Sequence, residues 1–332
     1  MLFGVVVIGR NEGLRLERCL RSVAGRGFPV VYVDSGSSDG SPARAAALGA
    51  LVLELDRSSP YTAARGRNAG IDALTRAHFE LDRVQVVDGD CELVPGWIET
   101  ASEFLTDHPD VSIACGRRRE RHPEASCWNL ATDVEWDGEP GEVQACGGDA
   151  MIRVSAWRLV GGYDGRLIAG EDPEFCWRVR QRGGRVWRLE REMTLHDAAL
   201  LRTGQWWRRM RRSGHAYAEL VWLHRSAPEA MGVRQLASIA LWGGALPLAC
   251  ALLAWPTGGW SLAGMLLLAR PWWGAWRRTR KRWPERVATL YASLCVLGKL
   301  AEMQGVATFA ANHVLRRRRT PLIEYKGPDR AA

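Results

Sequence analysis

The stretch VQVVDGDCELV, residues 84–94, decides the fold class of this chain. It opens with a run that suits a buried strand, and the run ends at Asp88-Gly89-Asp90. Two carboxylates held this close are costly unless a cation neutralises them, and carboxylate oxygens suit Mg²⁺ or Mn²⁺. Taken alone, Asp-Gly-Asp is also common in ordinary turns, so the motif needs support from the rest of the chain.

Similar apolar runs recur along the first 200 residues. They lie at 4–8, 30–33, 50–55 and 111–115, and stretches with helical period such as EGLRLERCLRSVAG and AARGRNAGIDALTRA separate them. Strands that alternate with helices predict an α/β fold with a mainly parallel, mixed sheet and flanking helices. Ligands of such sheets bind beyond the carboxyl ends of the strands.

Polar residues follow the predicted strands at those ends. GRNE occupies residues 9–12 and DSGSSDG residues 34–40. No Gly-x-Gly-x-x-Gly follows the first strand and no Gly-x-x-x-x-Gly-Lys occurs, so dinucleotide and P-loop sites lack their phosphate cradle. Asp34 is placed to accept a hydrogen bond from a base NH or a ribose hydroxyl, whereas turn formation alone would explain Asp39.

Size and cysteine content bound the class of protein. The 332 residues are 47% hydrophobic, which predicts one large domain with an appendage, long enough for an enzyme. The eight cysteines include no Cys-x-x-Cys pair, so we expect reduced thiols in a cytoplasmic setting. The start, MLFGVVVIGRNE, enters a strand-like run at once and predicts no signal peptide.

Charge divides the chain into two parts. Residues 1–201 carry 24 Lys and Arg against 31 Asp and Glu, whereas the remainder carries 21 against 6, so their net charges are −7 and +15. A basic region of this kind suits nucleic acid or the anionic face of a membrane. Because long apolar stretches separate the basic residues of this region, we expect it to bind a membrane and not a nucleic acid.

The hydrocarbon is concentrated in residues 235–269, which contain no charged side chain. A bilayer core needs roughly 20 apolar helical residues, and 236–255 supply them before Pro256-Thr257-Gly258-Gly259 interrupts the run. A second span is expected at about 259–276, and its basic flank predicts that both ends of the hairpin face the cytoplasm. The alternative is a buried helical hairpin in a soluble protein.

Two further helices are expected on either side of this hairpin. Residues 287–310 carry Lys299 and Glu302 and predict an interfacial or partly re-entrant helix, followed by a basic cytoplasmic tail. Residues 203–224 predict an amphipathic helix along the membrane surface, or equally a soluble surface helix with an arginine stripe. The predicted domains are 1–201 for catalysis, 202–234 for the interface helix and 235–332 for the membrane region.

Six ordered blocks resemble the family 2 glycosyltransferases, which have the Rossmann-like glycosyltransferase A fold. They cover roughly residues 3–200 and read VVVIGRNEGLRLERCLRSV, VVYVDSGSSDGS, ARGRNAGIDAL, VQVVDGDCELVPGW, CGGDAMIRVSAWRLVGGYD and GEDPEFCWRVRQRG. Members use a nucleotide-diphospho-sugar donor and a divalent metal, and most invert the anomeric configuration. The resemblance therefore implies a membrane-attached sugar transferase.

Carried over to this chain, the resemblance implies a set of donor-binding residues: Arg10, Asn11, Glu12, Asp34, Ser35, Asp39, Arg67, Asn68, Asp88, Gly148 and Asp149. Within this set Asp34 is expected at the nucleobase, Asp88 at the ribose or metal, and Arg67 with Asn68 near the diphosphate. Gly148 and Asp149 resemble the loop beside the sugar and the acceptor.

The resemblance also implies a metal site and a base. Mg²⁺ or Mn²⁺ is expected on Asp90, with Asp88 and His196, and a lone histidine is otherwise as often structural. Glu171 and Asp172 match the acidic motif of the base, with Asp172 as the acting carboxylate. Displacement at the anomeric carbon requires such a base while the charge of the leaving diphosphate is neutralised. Helix initiation alone also explains acids at this position.

Two departures from the family pattern bear on substrates. Arg10 stands where an aromatic residue is common. Processive synthases carry Gln-x-x-Arg-Trp, and this chain has Gln205-Trp206-Trp207-Arg208-Arg209, which we assign to the acceptor or membrane interface. We therefore expect single transfer. The run CGRRRERH, residues 115–122, is either solvated or contacts an anionic acceptor.

The predicted function is metal-dependent, inverting sugar transfer to a lipid or lipid-linked glycan at the inner membrane, with the catalytic domain facing the cytoplasm. The alternatives are a subunit of a processive polysaccharide synthase and a catalytically silent nucleotide-sugar-binding scaffold. A nucleotidyltransferase would need a catalytic lysine, and residues 1–201 contain none.

Overall fold

The computed structural model describes residues 2–315 except 24, 26, 57–58 and 228–230. The described residues divide into two compact units. One is formed by the residues up to Arg121 with Trp136–Ala198, and the other by His122–Glu135 with the residues from Ala199 to Leu315. Residues 122–135, which the sequence assigned to the first domain, thus belong to the second unit. The expected basic tail lies outside the described residues.

The first unit is built on one mixed sheet, to which the described residues contribute nine strands: β1 (Leu2–Gly9), β2 (Val30–Asp34), β3 (Leu51–Glu54), β4 (Leu81–Asp88), β5 (Cys91–Leu93), β6 (Val111–Glu120), β7 (Gly141–Glu142), β8 (Ala150–Arg153) and β9 (Arg185–His196). The strand order is β3-β2-β1-β4-β8-β6-β9-β5, with β7 beside β9. Strands β3, β2, β1 and β4 run parallel to one another, whereas β8 is antiparallel to its neighbours β4 and β6. The predicted α/β fold is confirmed.

The following helices alternate with these strands along the chain: α1 (Leu14–Val23), α2 (Ser41–Ala47), α3 (Ala63–Ala77), α4 (Trp97–Asp107), α5 (Cys127–Trp136), α6 (Val154–Val160) and α7 (Glu171–Gln181). Of these, α5 belongs to the second unit except for its last residue, Trp136. The run Val5, Val6 and Val7 on β1 is fully buried, as expected of a central parallel strand with both faces covered. Sequence periodicity placed α3 correctly, and Thr62 caps it by accepting the Arg65 backbone N–H at 3.2 Å.

A glycine decides how closely α3 approaches the sheet. A Cβ atom at Gly70 would lie 2.3 Å from Cγ1 of Val6 on β1, so no larger residue fits without a shift of the backbone. This close packing holds the first turns of α3 beside the carboxyl ends of β1 and β4. Arg67 lies in those turns, and the packing carries its side chain to the edge of the sheet where ligands bind.

The second unit is helical. Its further elements are α8 (Thr203–Leu223), α9 (Val233–Ile239), a π-helical segment (Ala240–Ala245), α10 (Leu246–Leu252), a 3₁₀ helix (Trp260–Leu268), α11 (Ala269–Thr279) and α12 (Glu285–Val314). Glycines bring α8 and α12 into backbone contact, because a Cβ at Gly214 would lie 1.9 Å from the Glu302 carbonyl oxygen and one at Gly305 2.0 Å from that of Arg211. Membrane helices often pack in this way.

Two helices of the described chain are long and apolar enough to cross a membrane, Val233–Leu252 and Glu285–Val314. Only 17% and 22% of their most apolar stretches are buried in the structure, whereas a core helix of a soluble protein is mostly buried. The first overlaps the span predicted at 236–255. The second falls where the sequence predicted an interfacial helix.

The segment expected to form the second span, about 259–276, instead forms the 3₁₀ helix and then α11. Gly258 and Gly259 adopt left-handed conformations in the turn between α10 and the 3₁₀ helix, and only ten residues separate Gly259 from Arg270. Lys299 and Glu302 are the two charged residues of α12 that argued against a membrane span. They form an ion pair, since Nζ of Lys299 lies 2.7 Å from Oε2 of Glu302. Pairing makes such charges cheaper to bury.

Candidate active site

The carboxyl ends of β1, β2 and β4 lie side by side. The register aligns Gly9 with Asp34 on one side and Ile8 with Asp88 on the other. The Gly89 backbone N–H donates to the Ile8 carbonyl oxygen at 2.7 Å, and a Cβ at Gly89 would lie 3.1 Å from that oxygen. The middle residue of Asp-Gly-Asp is therefore a glycine because the turn packs directly on β1.

Arg67 joins three acidic side chains from different elements. Its guanidinium contacts Asp88 at 2.8 Å, Glu171 at 2.8 Å and Asp172 at 3.1 Å, and its side chain is only 2% exposed. Burial opposes its charge, but the three carboxylates outweigh burial and raise the pKa of Arg67 above its ordinary value. Arg67 thus links the end of β4 to the start of α7. Its predicted position near the diphosphate stays a prediction.

A second arginine holds the other side of Asp88. Arg118, on β6, lies 2.9 Å from Asp149 and 3.5 Å from Asp88, and its guanidinium carbon lies 5.3 Å from the ring centre of Trp136. Arg67 and Arg118 thus both contact Asp88, but they also contact Glu171, Asp172 and Asp149, so four carboxylates share two guanidinium charges. The cluster keeps an excess of negative charge, and the cation expected near Asp88 stays a prediction.

The second carboxylate of the motif faces a histidine. Oδ2 of Asp90 lies 3.3 Å from Nε2 of His196, the last residue of β9, and both side chains are almost completely buried. Nδ1 of His196 lies 3.9 Å from Glu120, and the imidazole packs edge-on against Trp136 at 4.7 Å between ring centres. One carboxylate oxygen and one imidazole nitrogen that converge in this way fit a divalent metal ion.

Asp88 with Cys91 and Asp149 forms another group in which the ligand atoms lie close together. Arg118 already contacts both of its carboxylates, so a cation there would meet a guanidinium group. The donor set therefore favours Asp90 with His196 as the place for a metal ion.

The acidic pair opens α7. Gly170 precedes it with a φ of 81°, and Glu171 and Asp172 stand in the first turn, where the helix dipole favours negative charge. Burial raises the pKa of Asp172 well above its ordinary value, Arg67 lowers it, and the charge of Glu171 raises it again. Once ionised, a carboxylate with a raised pKa is a stronger base than an ordinary aspartate.

The loop before β8 lies directly over this cluster. A Cβ at Gly148 would stand 2.6 Å from Oδ2 of Asp88 and 2.9 Å from both Arg67 and Arg118. Asp149 is fully buried, and it accepts hydrogen bonds from the Asp88 backbone N–H at 3.0 Å and from Thr194 at 2.8 Å. Asp149 thus holds the loop in place through these two hydrogen bonds, and its contact with the donor stays a prediction.

Asn68 has a similar supporting position. Its Nδ2 donates to the Tyr163 carbonyl at 2.8 Å, while Oδ1 accepts from the Tyr163 backbone N–H at 2.9 Å and from Trp157 at 3.1 Å. The side chain thus ties α3 to the segment before α7.

The residues predicted to bind the nucleotide lie in two loops, one after β1 and one after β2, which hydrogen bonds join to each other. Oδ2 of Asp34 accepts from the Gly36 and Ser37 backbone N–H groups at 2.9 and 2.7 Å, and Oδ1 accepts from the Tyr32 hydroxyl at 2.8 Å. Asn11, at φ 56°, links the loops by accepting the Ser38 backbone N–H at 2.8 Å. Three of the roughly four acceptor directions of Asp34 are thus already used.

The remaining predicted donor residues lie around these loops. The Ser35 backbone N–H donates to the Gly9 carbonyl, and Glu12 pairs with its helix neighbour Arg15 at 3.1 Å. Arg10 is exposed, with its guanidinium carbon 5.7 Å from the ring centre of Tyr61.

Asp39 bonds within the same pair of loops. Partial burial opposes the ionisation of Asp39, but hydrogen bonds from Ser41 outweigh burial and lower the pKa of Asp39. One oxygen of Asp39 also accepts the Gly13 backbone N–H at 2.9 Å. The turn role considered from the sequence accounts for these contacts.

The five residues assigned to an acceptor or membrane interface lie at the start of α8, in the second unit. Gln205 accepts the backbone N–H groups of Leu201 and Arg202, both at 2.9 Å, and so caps its own helix. Of the tryptophans, Trp206 is buried and Trp207 donates to Gln304 at 2.9 Å.

The two arginines of that motif differ in environment. Arg209 holds Glu135 through two contacts of 2.8 and 3.0 Å, whereas Arg208 is exposed. Arg208 is thus the more accessible of the two to an acceptor.

Sequence reasoning missed Arg118, Glu120 and Trp136. The run CGRRRERH was expected to be solvated or to meet an acceptor, and the predicted strand stopped at residue 115. In the structure β6 continues to Glu120, which is 2% exposed and accepts the Ala198 backbone N–H at 3.1 Å. Strand alternation places Arg118 and Glu120 on one face, and this was the available signal.

Comparison with known proteins identifies the family. Residues 4–159 match the model of "Glycosyl transferase family 2". The pre-mycofactocin glycosyltransferase of Mycobacterium tuberculosis (strain ATCC 25618 / H37Rv) is 28% identical over 207 residues, which cover 58% of this chain and 42% of the relative. The chain thus spans less than half the length of that relative.

A second relative covers more of both proteins. The succinoglycan biosynthesis protein ExoA of Rhizobium meliloti (strain 1021) is 24% identical over 276 residues, with 78% of this chain and 82% of the relative covered. Among solved structures, a mannosyltransferase from Pyrobaculum calidifontis in complex with GDP-Man and Mn²⁺ superposes with a TM-score of 0.61 at 19% identity, covering 92% of this chain and 86% of that chain. At this identity the likeness concerns the fold. Residues 4–159 therefore form a glycosyltransferase family 2 domain, and the chain is similar in fold to glycosyltransferases of the A type.

Proposed function

We propose that this protein transfers a sugar from a nucleotide-diphospho-sugar to a hydroxyl acceptor, with inversion at the anomeric carbon and with Asp172 as the base. The observation that carries the proposal is the Arg67 clamp. It brings Asp88 from β4 and the pair Glu171-Asp172 from α7 to one point at the carboxyl edge of the sheet. Direct displacement needs a carboxylate at the place where donor and acceptor meet.

Within this site each group has a distinct task. Asp172 takes the proton of the acceptor hydroxyl, and Arg67 holds its carboxylate in position and favours its ionised form. Asp90 and His196 would hold Mg²⁺ or Mn²⁺, which when bound acts as a Lewis acid toward the oxygens of the leaving diphosphate. Asp88, held by two arginines, orients the loops around the donor ribose.

We place the reaction at the cytoplasmic face of a membrane. Only 17% and 22% of the most apolar stretches of the helices Val233–Leu252 and Glu285–Val314 are buried, and Trp255 and Trp260 between them are 95% and 82% exposed. Exposed tryptophans at helix ends are typical of the membrane interface. Residues 202–234, which precede the first of these helices, carry seven arginines, and this favours the cytoplasmic side for the part of the chain before that helix.

The proposed acceptor is a lipid or a lipid-linked glycan. A sugar transferase whose chain also carries apolar helices long enough to cross a membrane would act on an acceptor that is itself held at the bilayer. The biosynthetic role named for the Rhizobium relative also favours a glycan product. Gln205 serves as a helix cap, so single transfer remains our proposal over processive synthesis.

Substitution of the base tests the catalytic proposal. We expect Asp172→Asn to lower turnover by about 10²- to 10⁴-fold, the usual contribution of a general base, while donor affinity stays within a few-fold of the wild type. Donor binding is measured by calorimetry with Mn²⁺, after a thermal-shift screen of nucleotide-sugars has identified the donor. Loss of donor affinity in parallel with turnover would show that Asp172 is not the base.

A matched control is Asp164→Asn in the same segment. Asp164 is 15% exposed and pairs at 2.6 Å with Arg166, which is 79% exposed. This substitution should cost some stability but leave turnover and donor affinity unchanged, because its partner is neither Arg67 nor another group of the proposed mechanism. If both variants lose activity equally, the effect of Asp172→Asn reflects folding of the segment.

A further inference from the structure

Two cysteine thiols meet beside the proposed base. Sγ of Cys146 lies 3.5 Å from Sγ of Cys176, although the two residues are 30 positions apart in the chain. The sequence showed no close cysteine pair, so only the fold brings them together. Both side chains are buried, with Cys146 7% exposed and Cys176 fully enclosed.

The pair connects two parts of the site that the proposed mechanism uses. Cys146 directly precedes Gly147 and Gly148, and Gly148 lies over Asp88, Arg67 and Arg118. Cys176 stands one turn after Asp172 on α7. A covalent bond between the sulfurs would therefore tie the loop over the cluster to the helix that carries the base.

The chemistry of the pair favours one reactive sulfur. A hydrogen bond from the Cys146 thiol lowers the pKa of Cys176, because it stabilises the thiolate against the opposing effect of burial. The thiolate is the form of cysteine that attacks oxidants.

We propose that Cys146 and Cys176 form a redox modification site, at which hydrogen peroxide produces a disulfide that arrests sugar transfer. The Cys176 thiolate attacks one peroxide oxygen, the O–O bond breaks, and the departing hydroxide takes up a proton to become water. The Cys146 sulfur then attacks the resulting sulfenic sulfur and expels a second hydroxide, which also leaves as water. Two thiols and one peroxide thus give one disulfide and two water molecules, with two electrons passing from sulfur to oxygen.

The geometry predicts a large effect on turnover. A disulfide requires the sulfurs about 2.05 Å apart, so they must approach by roughly 1.5 Å, and the loop or the helix must move with them. A displacement of about 1 Å at a catalytic group can cost about a hundredfold in rate. This effect on turnover rests on the proposed function, whereas formation of the disulfide does not.

The experiment uses the full chain, purified in detergent under reducing conditions and then titrated with hydrogen peroxide. Peptide mapping by mass spectrometry detects a Cys146–Cys176 cross-link without reference to activity. We expect the cross-link to appear as turnover falls about a hundredfold, and dithiothreitol to restore both. Cys146→Ser should retain turnover in peroxide, while the control Cys127→Ser, at an exposed thiol, should remain as sensitive as the wild type.

Several results would overturn the proposal. It fails if no cross-link between these two residues forms at peroxide concentrations that already oxidise Cys127, or if Cys176 instead joins Cys115. It also fails if the cross-link forms while turnover is unchanged, or if both Cys146→Ser and Cys176→Ala stay folded by circular dichroism and are still inactivated. If the reduced wild type shows no turnover with any nucleotide-sugar, the proposed function is at fault, and the mapping still decides whether the site exists.

Discussion

Replacing Arg67 by glutamine should destabilise the first unit, and the loss should depend on pH in a defined direction. Arg67 is 2% exposed and contacts three carboxylates at 2.8, 2.8 and 3.1 Å. Removing one partner of a buried ion pair typically costs about 3–5 kcal/mol, because the other charge stays buried without compensation. For a unit of this size, about 2–4 °C per kcal/mol converts the loss to roughly 6–20 °C in Tm.

The sign of the pH dependence follows from Asp172. Burial already raises the pKa of its carboxyl in the folded protein, Arg67 opposes this effect, and removing Arg67 raises the pKa further. A carboxyl whose folded pKa exceeds its unfolded value of about 3.9 makes folding less favourable as the pH rises between the two. The Tm difference between wild type and Arg67→Gln should therefore be largest near neutrality and shrink toward about pH 5.

Thermal unfolding between about pH 5 and pH 8 measures this difference. Arg21→Gln is the matched control, because Arg21 is 62% exposed and pairs with Glu17 one helical turn away, an arrangement worth only about 0.3–0.5 kcal/mol. Arg67→Lys should fall between wild type and glutamine, since one ammonium group cannot contact three carboxylates as a guanidinium does. A Tm loss for Arg67→Gln no larger than that of the control, or equal at all pH values, would refute the clamp.

Three further predictions concern catalysis. Gly148→Ala should lower turnover by at least about tenfold and lower the free energy of unfolding by about 1–3 kcal/mol, because the added Cβ would stand 2.6 Å from Oδ2 of Asp88 and overpack the site. The control Gly204→Ala, whose nearest neighbouring atom is 3.8 Å away, should change neither turnover nor stability. The pH profile of kcat/KM should show an acid limb above the ordinary aspartate value of about 3.9, since Asp172 must be ionised and burial raises its pKa, and a midpoint at or below about 4 would contradict its role. Chelation of divalent metal should abolish turnover, and added Mn²⁺ should restore it. Asp90→Asn should weaken Mn²⁺ binding by more than the roughly 10- to 100-fold that is typical of residues which only support a metal ligand. Electron paramagnetic resonance measures this affinity, and an unchanged value would show that Asp90 is not a metal ligand.

The local sequence pattern was sufficient to predict those strands and helices whose formation depends on neighbouring residues in the chain. The valine run of β1, the helical period of α3 and the strand that ends at Asp88 follow from side-chain period and burial, and the structure has each of them. The segment at about 259–276 shows the limit of such reasoning, because hydropathy alone does not distinguish the 3₁₀ helix of Trp260–Leu268 from an α-helix.

The amino-acid sequence by itself determined the α/β class, the strand ends at which a ligand site would lie, and the acidic residues available there. Tertiary structure alone decided how their charges are balanced. Arg67 and Glu171 are 104 positions apart, and Arg118 reaches Asp88 only because β6 continues past its apolar half. Ion-pair partners are chosen by distances of a few ångströms, which depend on how helices and strands dock, and no local sequence period specifies that docking.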